Sequence, residues 1–125
     1  MTVGGPVQPR RAVTARAMHK VLILFGPPVD PAAFARYFEE THRPILDSLP
    51  RVGAIEVNWV ADSVTGDLSV HLLVELLFPT EETLQDGLNS VAGQKMARDY
   101  PSFASGGVTI LLSNSAHDPT AGNQE

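Results

Sequence analysis

The sequence predicts one small α+β domain of β-α-β-β-α-β order. Three observations predict it: hydrophobic periodicity that changes cleanly between strand and helix, turn-forming residues at each change, and a length of 125 residues, enough for one core. His19 to Phe25 is a β-branched and leucine run stopped by Gly26-Pro27-Pro28. Val21, Ile23 and Phe25 fall on one face and Leu22 and Leu24 on the other, the pattern of a central strand covered on both sides. Asp30-Pro31 then supplies an N-cap and a proline at the first helical position, where a missing N–H costs nothing.

The first helix places Phe34, Tyr37, Phe38 and Thr41 on one stripe. Arg36/Glu40 and Glu39/Arg43 stand at pairing distance on the other side. Pro44 predicts a break or kink near Arg43, because proline lacks the amide donor and disfavours helical geometry at the residue before it. Val52 to Val60 reads as a half-buried strand, with Ile55, Val57 and Trp59 alternating against Glu56 and Asn58. A turn at Asp62 to Asp67 leads to Ser69–Phe78, the longest strand signal. There Val70, Leu72, Val74, Leu76 and Phe78 share one face; His71, Leu73, Glu75 and Leu77 share the other. Thr80 with Glu81 and Glu82 opens a second helix carrying Leu84, Leu88 and Val91, and Ser90 is placed to cap a further short helix to Asp99. Gly106-Gly107 precedes the last strand, Val108 to Ser113. The glycine pair reads as backbone permissiveness there, not as a phosphate loop.

The folding unit is therefore 18–113, between an N-terminal tail over 1–17 and a C-terminal tail over 114–125, both polar or Gly/Pro-rich. Met18 stands directly before the first strong strand, so the preceding segment reads as an upstream start or an expression remnant. This element order is that of a ferredoxin-like domain, an antiparallel sheet with both helices on one face. Leu73, Leu77 and Leu111, with one face of the first strand, leave the other face too apolar for water. A homodimer covering it with a second sheet is the simplest solution; a monomer covered by its own tails is the alternative.

Composition excludes several classes. The net charge is −5, without the basic patch that nucleic acid requires. No apolar run approaches the roughly 20 residues that span a bilayer, and the first 17 residues lack the apolar core of a secretory signal, so a cytoplasmic location is the default expectation. There is no cysteine, which removes disulfides, thiolate metal sites and cysteine nucleophiles together. His19, His42, His71 and His117 lack close ligand spacing, so no metal is expected.

The candidate site centres on His42, four residues after Phe38 and eight after Phe34 and hence on the inward stripe. A neutral imidazole there serves as general base or acid near neutral pH. The competing reading is a core-edge histidine satisfied by a backbone carbonyl. Tyr37 lines a pocket and orients a substrate oxygen through its hydroxyl, or is a core aromatic with its hydroxyl at the surface. His71 and Glu75, four apart on one sheet face, bind or polarise a ligand, or face solvent and pair across the dimer. Phe38 and Asn58 complete the substrate-binding candidates, and Trp59 reads as core or interface.

In order along the chain, several short motifs resemble the EthD family, named for ethyl tert-butyl ether degradation and a member of the dimeric α+β barrel group. They are Lys20-Val21-Leu22-Ile23-Leu24-Phe25-Gly26, the Phe34/Tyr37/Phe38 helix ending in His42-Arg43-Pro44, Leu49-Pro50, and Phe103-Ala104-Ser105-Gly106-Gly107-Val108-Thr109. One departure is visible: the family usually follows Leu-Pro with Gly, whereas Arg51-Val52 intervene here before Gly53. The resemblance implies a barrel built from two protomers' sheets and places His42 at a matching position of the family pattern. It implies an enzyme without a cofactor, of monooxygenase, isomerase or polyketide-modifying type, acting on a small apolar or aromatic oxygenated molecule. His42 would move the proton while Tyr37 or Glu75 positions the oxygen. The alternative is a non-catalytic binding or accessory protein of a degradation pathway, including a haem-handling version with His71 or His42 as ligand.

Overall fold

The computed structural model describes residues 17–116. The tail read over 1–17 lies outside them except for Ala17, and so do 117–125, which include His117. Strand β1 spans Ala17–Phe25; helix α1, Pro31–Tyr37, passes through a π turn, Phe38–His42, into α2, Arg43–Asp47. Strands β2, Ala54–Trp59, and β3, Leu72–Phe78, follow. Helices α3, Glu81–Asn89, and α4, Val91–Asp99, lead through a 3₁₀ turn, Tyr100–Ser102, to β4, Val108–Ala116. The sheet order is β2-β3-β1-β4, and every neighbouring pair is antiparallel. This is the ferredoxin-like α+β fold, with β1 in the central position its two apolar faces require.

β4 runs to Ala116 and β1 starts at Ala17, so the ladder extends three residues past the boundary expected at Ser113. Asn114 and Ser115 are polar, but strand pairing needs only their backbone groups, which His19 and Met18 satisfy across the ladder. β2 and β3 are shorter than the expected 52–60 and 69–78: regular pairing ends at Trp59 and Leu72, with one bond beyond it from the Val60 N–H to the His71 carbonyl at 3.0 Å.

Val21, Ile23 and Phe25 of β1 and Leu72, Val74, Leu76 and Phe78 of β3 face the helices and are buried. Phe34, Phe38, Ile45, Leu46, Leu84 and Met96 close over them. Asp30 caps α1 by accepting from the Ala33 amide at 3.1 Å. Thr80 and Ser90 cap α3 and α4 in the same way. Gly26 and Gly106 bring the β1–α1 loop against the loop before β4: Gly26 N–H donates to the Gly107 carbonyl at 3.0 Å, and a Cβ on either glycine would collide with the other's backbone.

Pro44 does not break the helix. Arg43 is helical, at φ −57° and ψ −42°, and the chain continues to Asp47. The irregularity lies one turn earlier, where Arg43 N–H donates to the Phe38 carbonyl and widens the turn. Proline brings no N–H for the Glu40 carbonyl, so the π turn takes up the mismatch. The wider turn also rotates the surface positions. Among the described residues neither Arg36/Glu40 nor Glu39/Arg43 is an ion pair, and Arg43 instead meets Asp47 at 3.1 Å.

Candidate active site

Three segments converge at the C-terminal end of β1: Phe25 itself, the α1–π-turn stripe, and residues 99–103. Phe34, Phe38 and His42 all point inward from the stripe, and His42 is completely buried. Its ring is enclosed by Phe25, Phe38, Tyr100 and Phe103, with centroids at 6.4, 5.8, 5.4 and 4.8 Å. No backbone carbonyl satisfies it. Nδ1 lies 2.9 Å from Asp99 Oδ2, while Nε2 is buried with no partner.

Asp99 is 14 % exposed, and its other oxygen, Oδ1, accepts the Tyr37 hydroxyl at 2.7 Å. An ionised carboxylate only accepts, so His42 Nδ1 carries the proton and Nε2 presents its lone pair. Burial pushes the imidazole pKa below its ordinary 6.5; the hydrogen bond and charge of Asp99 oppose this and do not overcome it. His42 is thus neutral at pH 7, in one tautomer, with a base-competent nitrogen inside an aromatic enclosure. The Tyr37 pKa is raised, first by its bond to Asp99 and then by burial.

Beside this enclosure is a cleft of about 300 Å³, lined by Phe34, Tyr37 and Phe103 together with Asp30, Ser102 and Ser105. Phe103 separates cleft from imidazole, since its ring stacks on Tyr37 at 5.0 Å and leans on His42 at 4.8 Å.

The six residues singled out from sequence divide between two faces. His42, Tyr37 and Phe38 come together on the helix side. Glu75 and Asn58 lie on the opposite, open face of the sheet, where Glu75 pairs with Lys20 at 3.2 Å and Asn58 Nδ2 donates to Glu75 Oε2 at 3.3 Å. The Tyr37 hydroxyl donates its proton to Asp99 Oδ1. One expectation is corrected. His71 does not share a face with Glu75: it precedes β3, and its ring packs edge-on against Phe34 at 5.3 Å and Trp59 at 5.8 Å. Its backbone still bonds to Phe25 and Val60, at 2.7 and 3.0 Å, but it lies one residue outside the regular strand.

Asp99, Tyr100 and Phe103 were not expected to take part. A signal for Asp99 does exist. A carboxylate at the last residue of a helix opposes the macrodipole, and such a placement calls for a compensating partner.

His71, the other histidine named for a haem-handling role, packs between Phe34 and Trp59. Among the described residues no group of three or more His, Asp or Glu side chains is placed to hold a metal ion. No helix among them is long and apolar enough to cross a membrane.

A ferredoxin-like sheet backed by helices, with a histidine–carboxylate pair buried between the two layers, defines the class of protein. The family follows from comparison: the EthD domain model matches residues 26–107, and the chain belongs to the EthD family. It is 34 % identical over 98 residues to an uncharacterized 11.0 kDa protein of the thcB-thcC intergenic region of Rhodococcus erythropolis, covering 78 % of this chain and 94 % of that one. An EthD family protein of Bacillus halodurans superimposes with a TM-score of 0.71 at 25 % identity, covering 77 % of this chain and 96 % of that one. More distant structures share the fold. A dimeric ferredoxin-like protein from Jannaschia has TM-score 0.59 and 17 % identity over 77 % of this chain and 97 % of its own. SnoaB of Streptomyces nogalater, a cofactor-independent oxygenase, has TM-score 0.58 and 12 % identity over 83 % and 96 %.

Proposed function

We propose that the protein is a proton-transfer enzyme for a small, apolar, oxygenated molecule and that it works as a homodimer. The observation that carries the reading is His42, whose Nδ1 is held by Asp99 while Nε2 is buried and unpartnered among aromatic rings. Most buried polar atoms find a partner, and Nε2 is an exception. One nitrogen fixed by a carboxylate and the other left with its lone pair is the arrangement of a general base. The rings of Phe25, Phe38, Tyr100 and Phe103 favour a flat apolar substrate, and the cleft beside Phe103 offers an approach once that ring moves.

The step is enolisation or phenol deprotonation. Nε2 takes the proton from carbon or oxygen, the electron pair moves onto the substrate's oxygen-bearing π system, and the imidazolium formed is stabilised by Asp99. SnoaB shows that proteins of this fold can carry out cofactor-independent chemistry, but the reading here rests on the residues. The homodimer is supported by the apolar open face of the sheet, where Leu111 is 47 % exposed, and by the dimeric Jannaschia relative.

The test is hydrogen–deuterium exchange of α-tetralone, a bicyclic ketone with one acidic methylene, followed by mass spectrometry in D₂O. The wild type is expected to accelerate exchange, and His42→Gln to lose about 10²- to 10⁴-fold of that rate. Exchange unchanged in His42→Gln removes the base. Binding of α-tetralone without accelerated exchange makes the protein a ligand carrier instead.

A further inference from the structure

Tyr100 has no part in the histidine–carboxylate pair, yet its side chain raises the same question as His42. It is buried, and its hydroxyl is without a partner. Its ring packs against Phe25 at 5.8 Å and against His42 at 5.4 Å, so the two orphaned polar atoms, His42 Nε2 and Tyr100 Oη, belong to one aromatic enclosure. Unpartnered buried polar groups are rare, and two on adjoining rings mark a place where something polar is meant to sit. Their chemistries are complementary. The imidazole nitrogen offers a lone pair, and the phenol offers a proton.

We propose that Tyr100 Oη is the hydrogen-bond donor that binds the substrate's oxygen, opposite the base at His42 Nε2. The inference rests on the proton-transfer reading and gives it a substrate class: an apolar aromatic phenol or ketone, whose oxygen is one or three bonds, respectively, from the acidic hydrogen. For a ketone, Tyr100 donates to the carbonyl oxygen while Nε2 removes the α-hydrogen. The C–H electron pair becomes the C=C bond, the carbonyl π pair moves to oxygen, and the proton stays on Nε2. For a phenol, both groups address the same oxygen.

The backbone supports this division of labour. Asp99 closes α4 and Tyr100 opens the 3₁₀ turn with Pro101 directly after it, so consecutive residues bring the carboxylate to Nδ1 at 2.9 Å and the phenol ring against the imidazole, centroids 5.4 Å apart. Burial, first, and the charge of Asp99, second, drive the Tyr100 pKa well upward, which keeps its proton in place to be donated. Donation to an oxygen that gains charge during the reaction is an interaction that strengthens in the transition state.

The decisive measurement is the infrared carbonyl stretch of ¹³C=O α-tetralone bound to wild type, Tyr100→Phe and His42→Gln, read beside the exchange rates. The stretch is expected to fall in frequency in wild type and His42→Gln and to return to its apolar-solvent position in Tyr100→Phe. Exchange in Tyr100→Phe is expected to drop about 10²-fold. Its thermal midpoint should not decrease, since the variant removes only an unpartnered hydroxyl, so the loss is not one of folding. An identical stretch in wild type and Tyr100→Phe overturns the proposal, as does a wild type that binds no α-tetralone or holds only a water between the two groups. Loss of exchange in His42→Gln with full exchange in Tyr100→Phe removes Tyr100 and leaves the base standing. Full exchange in His42→Gln with a Tyr100-dependent stretch removes the base and leaves the oxygen site.

Discussion

At the scale of single residues, the histidine was legible and its partner was not. Apolar spacing along one helix put His42 on the same stripe as Phe34 and Phe38, a local inference that needs no tertiary information. Asp99 lies 57 residues away, and only the packing of α4 against α2 brings it to Nδ1. Two predictions belong here. Asp99→Asn replaces an acceptor-only group with one that can also donate, so His42 loses its enforced tautomer. Exchange of α-tetralone is expected to fall at least ~10-fold, with stability lower by about 1.5–3 kcal/mol because charge-assisted hydrogen bonds are lost. The ¹⁵N spectrum of His42 should show Nδ1 partly deprotonated, a change that mere loosening of the helix would not give. The second prediction concerns acid. The folded-state pKa of His42 lies below the ordinary 6.5, so between those values the unfolded chain binds the additional proton. Stability from this residue is complete above pH 6.5 and is lost as pH falls toward the folded value. Urea midpoints measured from pH 7.5 down to 5.5 are expected to decline in the wild type and to decline less in His42→Gln.

At the scale of elements, caps and alternation were read directly because Asp30, Thr80 and Ser90 act within a few residues of themselves. The π turn was not, since Pro44 announces a lost hydrogen bond without saying which carbonyl will be rearranged. The Leu49-Pro50 turn shows how a departure from the family pattern has a physical counterpart. Arg51, where the family usually has glycine, is the non-glycine residue at positive φ among the described residues, at 64°. Left-handed geometry costs an L-residue roughly 1–2 kcal/mol, while glycine's greater freedom in the unfolded chain returns part of any gain. Arg51→Gly is therefore expected to stabilise by up to about 1 kcal/mol, seen as a higher urea midpoint at unchanged slope. Gly93 in α4 predicts the opposite sign. Alanine is favoured over glycine in a helix by about 1 kcal/mol, but a Cβ here would run into the carbonyls of Gly87 and Leu88 at the end of α3. Backbone cannot yield as a side chain tip can, so Gly93→Ala should destabilise by about 1–3 kcal/mol in the same denaturation assay.

At the scale of the whole molecule, the decisive pattern was β1, apolar on both faces and therefore central. That argument fixed the layer order, because one face of β1 takes the helices and the other needs a second cover. The register shows what that open face contains. Across it run rows of Asn58, Leu73, Leu24 and Thr109, then Glu56, Glu75, Leu22 and Leu111, then Ala54, Leu77, Lys20 and Ser113. The leucines lie on β3, β1 and β4, whereas Glu56 stands opposite Glu75 at the β2 side and Glu75 draws its compensation from Lys20 and Asn58. Glu75 is thus compensated within one chain, and the leucines are left without a cover. Leu111 is the sharpest test: it lies on edge strand β4, is 47 % exposed, and makes little of the protomer's own core. A lysine there would leave a lone protomer nearly unaffected but would place an unpaired charge in a sheet-to-sheet interface, at a cost of several kcal/mol. Sedimentation velocity is expected to give twice the chain mass for wild type and a shift toward the single chain for Leu111→Lys. The far-UV circular dichroism of the variant should be unchanged. Leu112, its neighbour on the other face of β4 and 58 % exposed, serves as the control, because Leu112→Lys changes the helix side and should remain dimeric. Dissociation by Leu112→Lys and not by Leu111→Lys would place the interface on the wrong face, and a wild type that sediments as one chain would remove the dimer altogether.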